Sequence, residues 1–149
     1  MMKVFLDTNI FLEYFEQRRE YQAVGRILSA VEDGVIKAVI SVGSIYTLAY
    51  LVRIELKRQG IHRPEQTENL RTTLNTILTM VKVVGTSHKR IIDGLNDLAF
   101  DDIEDSFQYQ CAIQGKCDAL ITINLRDYRG ADNSLVEILS PTEFANKYL

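Results

Sequence analysis

A chain of 149 residues, 46% hydrophobic and 25% charged, can bury one core but falls short of two ordinary domains, so a single domain over residues 1–149 is expected. Its formal charge of −3 excludes a broadly cationic nucleic-acid coat, but not a nucleic-acid enzyme, because clustered carboxylates can make the total negative while bound ions reverse the local field. No apolar run approaches the roughly 20 residues of a membrane span, the apolar segment before Asp7 is too short for a signal-peptide core, and Cys111 and Cys117 have no histidine nearby, so a soluble cytoplasmic protein with reduced thiols is expected.

Lys3 to Leu6 is a run that stops on Asp7, Thr8 and Asn9. Such a run reads as a short buried strand from the middle of a parallel sheet. Ile10, Phe11, Tyr14 and Phe15 then recur at helical spacing, and Tyr21, Val24, Ile27, Leu28 and Val31 carry the helical period on to Gly34. Val35 to Ser41 is the second strand. A long helix from about Gly43 to Arg58 follows, with Ile45, Leu48, Ala49, Val52 and Leu56 on one face and Gly60 at its end. Tyr46 and Tyr50, four apart on it, are assigned to a core stripe. Pro64 and Glu65 open the next helix, whose stripe is Leu70, Leu74, Ile77 and Leu78.

Val81 to Gly85 is the third strand, and Ile91, Ile92, Leu95 and Leu98 mark a further helix. The acids Asp101, Asp102, Glu104 and Asp105 open another, running to about Gln114 with Ile103, Phe107 and Cys111 facing inward. Ala119 to Ile123 forms a fourth strand closed by Asn124, Val136 to Leu139 a fifth, and Pro141 to Tyr148 a last helix begun by Ser140 or Pro141. This alternation predicts a three-layer α/β/α sandwich around a central, mainly parallel sheet of about five strands, joined by right-handed crossovers.

In a parallel sheet the strand ends at Asp7, Ser41, Gly85 and Asn124 share one edge, the edge where α/β sheets bind ligands. Asp7, the acids at 101–105 and Asp127 are three carboxylate sources from distant parts of the chain. Brought together they suit a hard, oxygen-seeking cation such as Mg²⁺ or Mn²⁺; without one they would repel and raise one another's pKa. Asp101 and Asp102 lie four and three residues before Asp105 and can share its helix face, whereas Glu104 is rotated about 100° away. Each acid also has a plain structural reading. Asp7 or Thr8 can N-cap the first helix, and Asp102 with Asp105 imitates a capping box. Arg53, Lys57, Arg58, His62 and Arg63 are assigned to a solvated helix end rather than to a phosphate track.

Leu6-Asp7-Thr8-Asn9, Ile103-Glu104-Asp105-Ser106 and the stretch Ile121 to Tyr128, taken in order over essentially the whole chain, resemble the PIN domain. That family includes the VapC-type toxins of bacterial toxin–antitoxin pairs. The resemblance implies a Mg²⁺- or Mn²⁺-dependent endoribonuclease, with Asp7, Asp105 and Asp127 as the catalytic, metal-holding acids. It implies hydrogen-bonding support from Asn9, Thr122 and Asn124, RNA as substrate, an antitoxin protein as partner, and a homodimer. One position departs from the pattern. Many members carry a Glu about six residues past a Ser like Ser41; Thr47 stands there in this chain, and the next acid, Glu55, is two turns further on. Ser44 to Arg53 is more similar to a branch with a Tyr-rich version of this helix, in which a neutral polar residue often replaces the Glu. Asp102 or Glu104 then stand as compensating acids, and a catalytically silent module that binds RNA or protein is the alternative. A phosphoacceptor receiver domain also gathers Asp residues around Mg²⁺, but it needs an Asp after its third strand, where this chain reads Val84-Gly85-Thr86.

Overall fold

In the computed structural model, which describes residues 1–149, β1 (Lys3–Leu6) lies at the centre of a five-stranded sheet. Its neighbours are β2 (Lys37–Ser41) and β4 (Ala119–Ile121), with β3 (Lys82–Val84) outside β2 and β5 (Glu137–Leu139) outside β4. Every pairing is parallel. The chain therefore builds outward from β1 through β2 to β3, then restarts on the other side of β1. That reversal leaves a crevice between the carboxyl ends of β1 and β4, where open α/β sheets bind their ligands.

Alternation along each strand divides the core. Phe5 lies opposite Val39 and Leu120, and these three side chains share one face with Tyr109, Cys111, Ala112 and Tyr128. That face is covered by α6 (Ile103–Gln114), against whose outer side α5 (His88–Leu95) packs. Val4, Leu6, Ala38, Ile40, Ala119 and Ile121 point to the opposite face, as a period of two requires. There they meet α1 (Ile10–Phe15), α2 (Tyr21–Glu32), α3 (Val42–Arg58), α4 (Glu65–Met80) and α7 (Pro141–Tyr148), through residues such as Phe11, Ile27, Leu48, Ile77 and Phe144. Burying each of these side chains contributes about 1.5–3 kcal/mol. Asp7 follows Phe5 by two residues, so the same alternation turns its side chain toward α6.

Two close approaches hold the α6 layer. Gly94 of α5 lies against α6, where an added Cβ would come within 3.0 Å of the Phe107 ring, and Ser106 Oγ donates to the Gly94 carbonyl at 2.7 Å. A short 3₁₀ helix, Leu125–Tyr128, follows β4. Two residues beyond it a Cβ on Gly130 would meet the Ala99 carbonyl oxygen at 2.2 Å, so only glycine fits. No helix is long and apolar enough to cross a membrane.

The sheet and its helices agree with the three-layer expectation; β1 has the expected bounds, and the other four strands are shorter by one to two residues at one or both ends. Some side chains correct the sequence reading. Tyr46 and Tyr50 are 75% and 60% exposed on α3, so they form no core stripe; Val42 and Ile54 extend this exposed line. Leu98 lies beyond α5 and is exposed, Ile103 is exposed at the start of α6, and Leu78 is turned outward on α4. In each case helical spacing identified an apolar line without saying which side of the helix the sheet would take. Cys111 and Cys117 are buried free thiols.

Candidate active site at the carboxyl edge of the sheet

A cleft of about 400 Å³ opens at the crevice between β1 and β4. Asp7, Asp105 and Asp127 all line it, and so do Asn9, Thr47, Asp102, Glu104 and Asn124. No lysine or arginine is among the lining residues. Thr122, at the end of β4, is fully buried behind Asp7.

Asp7 is the buried centre. Its amide extends the sheet ladder by donating to the Ile121 carbonyl at 3.0 Å, which sets its carboxylate beside Thr122. Oδ2 accepts from Thr122 Oγ1 at 2.8 Å and from Tyr128 Oη at 3.2 Å. Oδ1 accepts from the Thr8 amide at 2.8 Å and from Gln108 Nε2 at 3.1 Å. Asp7 therefore does not cap α1, which has no side-chain cap on its first turn. Thr8 Oγ1 pairs instead with Ser44 Oγ at 2.7 Å.

Gln108 joins these elements. Its Nε2 also reaches Ser44 Oγ at 2.9 Å and Thr8 Oγ1 at 3.2 Å, while its Oε1 accepts from Ser41 Oγ. The two amide hydrogens are thus shared among three oxygens, which ties the ends of β1 and β2, the start of α3 and the middle of α6 to one side chain. Ser41 doubles as the N-cap of α3, accepting from the Ser44 amide. Gln108 and Tyr128 were missed by sequence reasoning. The only signals available were that Gln108 is one helical turn after Asp105 and that Tyr128 adjoins Asp127.

The acids on α6 divide their roles. Asp102 is the N-cap, accepting the Asp105 amide at 3.2 Å. Asp105 does not complete a capping box; its Oδ1 lies 3.4 Å from Tyr128 Oη instead. Burial, with the charges of Asp7, Asp102 and Asp127 acting in the same direction, pushes the Asp105 carboxyl up to about 7. Tyr128 is held well above the usual phenol range, first by burial and then by the same Asp7 and Asp105.

Asp127 sits on the 3₁₀ helix, and both it and Glu104 are exposed where they line the cleft. Thr47 occupies the wall formed by α3. Glu55 contributes nothing here: it is bound to Arg58 outside the cleft. Asn9 makes no side-chain cap on α1, and Asn124 contributes its backbone N–H, which donates to Thr122 Oγ1 at 3.0 Å. The basic residues at the end of α3 do not reach the cleft.

The donor chemistry fits Mg²⁺ or Mn²⁺. An uncompensated acidic cleft that raises the pKa of its own Asp105 favours a cation, and Mg²⁺ is commonly held by one or two carboxylates with the remaining positions filled by water. No three of the acidic side chains close up tightly enough to chelate an ion by themselves.

The PIN domain profile matches residues 3–126 of the chain. The chain belongs to the PIN domain family. The PIN fold is seen again in the structure of VapBC2 from Rickettsia felis bound to a DNA fragment from their promoter, which aligns with a TM-score of 0.64 at 17% identity. The alignment covers 92% of this chain and 98% of the matched one. No curated protein sequence matches. PIN domains are generally nucleases, and the cleft of this PIN domain lies where the sheet topology reverses.

Proposed function

We propose that this PIN domain is a Mg²⁺- or Mn²⁺-dependent endoribonuclease, and that it acts in the cytoplasm as the toxin of a toxin–antitoxin pair. The observation that carries the reading is Asp105, whose carboxyl is pushed to about 7 by burial and by Asp7, Asp102 and Asp127 with no basic side chain in the cleft to offset them. A divalent cation removes that penalty. When bound, Mg²⁺ or Mn²⁺ supplies an acidified water and positive charge for a phosphodiester. Asp7, Asp105 and Asp127 would hold it, directly or through bound water. Thr122 and Gln108 orient Asp7, while Asp102 orients Asp105 by capping the helix that carries it. RNA single strands and loops are the substrates expected, because the backbone must enter a narrow acidic cleft, and the products expected are a 3′-hydroxyl and a 5′-phosphate.

The similarity to a VapBC complex supports an antitoxin partner, and the exposed apolar residues of α3 and α5 leave surface for a protein partner or a second copy. One further reading has specific support. Thr47 in place of an acid, together with the absence of three closely gathered carboxylates, favours a silent module that binds RNA or protein.

Incubating a mixed-sequence structured RNA with purified protein in Mn²⁺, Mg²⁺ or EDTA separates the two. Asp7→Asn and Asp105→Asn proteins, purified identically, control for contaminating ribonucleases. Metal-dependent cleavage lost in both variants establishes the nuclease, and equal cleavage by all three proteins favours the silent module.

A further inference from the structure

Tyr128 is 2% exposed, and its hydroxyl contacts both Asp7 and Asp105. Its oxygen lies 3.2 Å from Asp7 Oδ2 and 3.4 Å from Asp105 Oδ1. A phenol carries one proton, so it serves one carboxylate at a time. The ring cannot easily turn away. It meets Phe100 edge to face with centroids 5.9 Å apart and packs in the same core as Phe5 and Leu120, and Gly130 anchors the following turn against Ala99.

Asp7 has no acceptor direction to spare. Each carboxylate oxygen offers about two lone-pair sites, and the four on Asp7 are taken by Thr8, Gln108, Thr122 and Tyr128. The Thr8 and Thr122 bonds are the short ones, at 2.8 Å each. Gln108 keeps Thr8 and Ser44 as other acceptors but does not touch Asp105. The Tyr128 bond is the longest of the four, and Tyr128 alone among these partners also contacts Asp105.

We propose that the Tyr128 hydroxyl is a built-in competitor for the divalent ion: it bridges Asp7 and Asp105 in the ion-free protein and must give up Asp7 Oδ2 before one ion can engage both carboxylates. This inference rests on the metal-dependent reading above. A hydroxyl that gives up Asp7 keeps only the longer 3.4 Å approach to Asp105 Oδ1, so the loss of its shorter hydrogen bond opposes ion binding. Tyr128 is thereby a positioning residue that lowers the affinity of the site while steadying its carboxylates.

The test is Mn²⁺ binding by calorimetry, with thermal unfolding in the presence and absence of Mn²⁺, on the full-length wild type, Tyr128→Phe and Phe100→Leu. Tyr128→Phe is expected to bind Mn²⁺ about tenfold more tightly, from the loss of one charge-assisted hydrogen bond, and to show the larger Mn²⁺-induced rise in Tm. Phe100→Leu keeps the hydroxyl but loosens the packing that holds the ring, and is expected to bind more tightly than the wild type and less tightly than Tyr128→Phe. Equal or weaker binding by Tyr128→Phe, with the wild type binding normally, overturns the inference and leaves the metal-dependent reading standing. Absence of binding in all three proteins overturns both. A Mg²⁺ titration of wild type labelled at the tyrosine Cζ carbons needs no variant to fold: the Tyr128 resonance is expected to move on saturation, and a static resonance in a protein that binds Mg²⁺ overturns the inference.

Discussion

Gln108 Nε2 meets Asp7 Oδ1 at 3.1 Å across 101 residues of sequence. The contact fastens α6, which carries Asp105, to the strand end that carries Asp7, and it draws Ser41, Ser44 and Thr8 into the same network. Gln108→Leu would leave those buried hydroxyls short of a partner and is expected to destabilise the protein by about 1–3 kcal/mol, with RNA cleavage reduced at least about tenfold. Gln108→Glu keeps the shape but sets a second carboxylate against Asp7. Urea denaturation is expected to show that it is weaker than wild type without metal and largely restored by Mn²⁺.

The raised carboxyl of Asp105 makes stability depend on pH. Its value is about 7 when folded and 3.8 in an ordinary environment, so between these limits the folded protein binds the proton that the unfolded chain has released. Stability without metal therefore falls as pH rises through this window. Asp105→Asn removes the charge, and at pH 8 it is expected to raise Tm by about 2–6 °C, the shift that about 1–2 kcal/mol produces in a domain of this size. At pH 4 the two proteins are expected to unfold within about 1 °C of each other.

Thr47 is exposed on the α3 wall of the cleft. Thr47→Glu adds a carboxylate there with little packing to disturb. Tighter Mn²⁺ binding, by about three- to tenfold, and faster RNA cleavage are expected from one more oxygen donor; calorimetry and initial rates measure them separately.

Gly130→Ala forces a methyl group to within 2.2 Å of the Ala99 carbonyl oxygen. Backbone must move to admit it, and overpacking of this kind typically costs about 1–3 kcal/mol. Because Tyr128 lies two residues earlier, the variant is expected to lose stability and to alter Mn²⁺ affinity together. Gly34→Ala, at a positive φ of 72° with nothing within 4 Å, is expected to lose stability alone.

The sequence by itself determined the layers of this protein and the edge at which its chemistry would lie. Short β-branched runs alternating with amphipathic helices dictate a covered parallel sheet, and parallel strands put Asp7 and the residues after β4 on one edge whatever the order of the strands. The acids at 101–105 and Asp127 were legible for a similar reason: carboxylates clustered beside apolar runs stand out in any register. Only the tertiary structure decided which face of each helix met the sheet, and so left Tyr46, Tyr50 and Ile103 in solvent although their spacing suited a core. It alone revealed Gln108 and Tyr128, whose importance lies in neighbours 101 and 121 residues away. Helical and strand periods are local, set by a few successive dihedral angles. The hydrogen bonds that saturate Asp7 depend instead on the strand order β3-β2-β1-β4-β5 and on the packing of α6 against it, and no spacing along the chain encodes those distances.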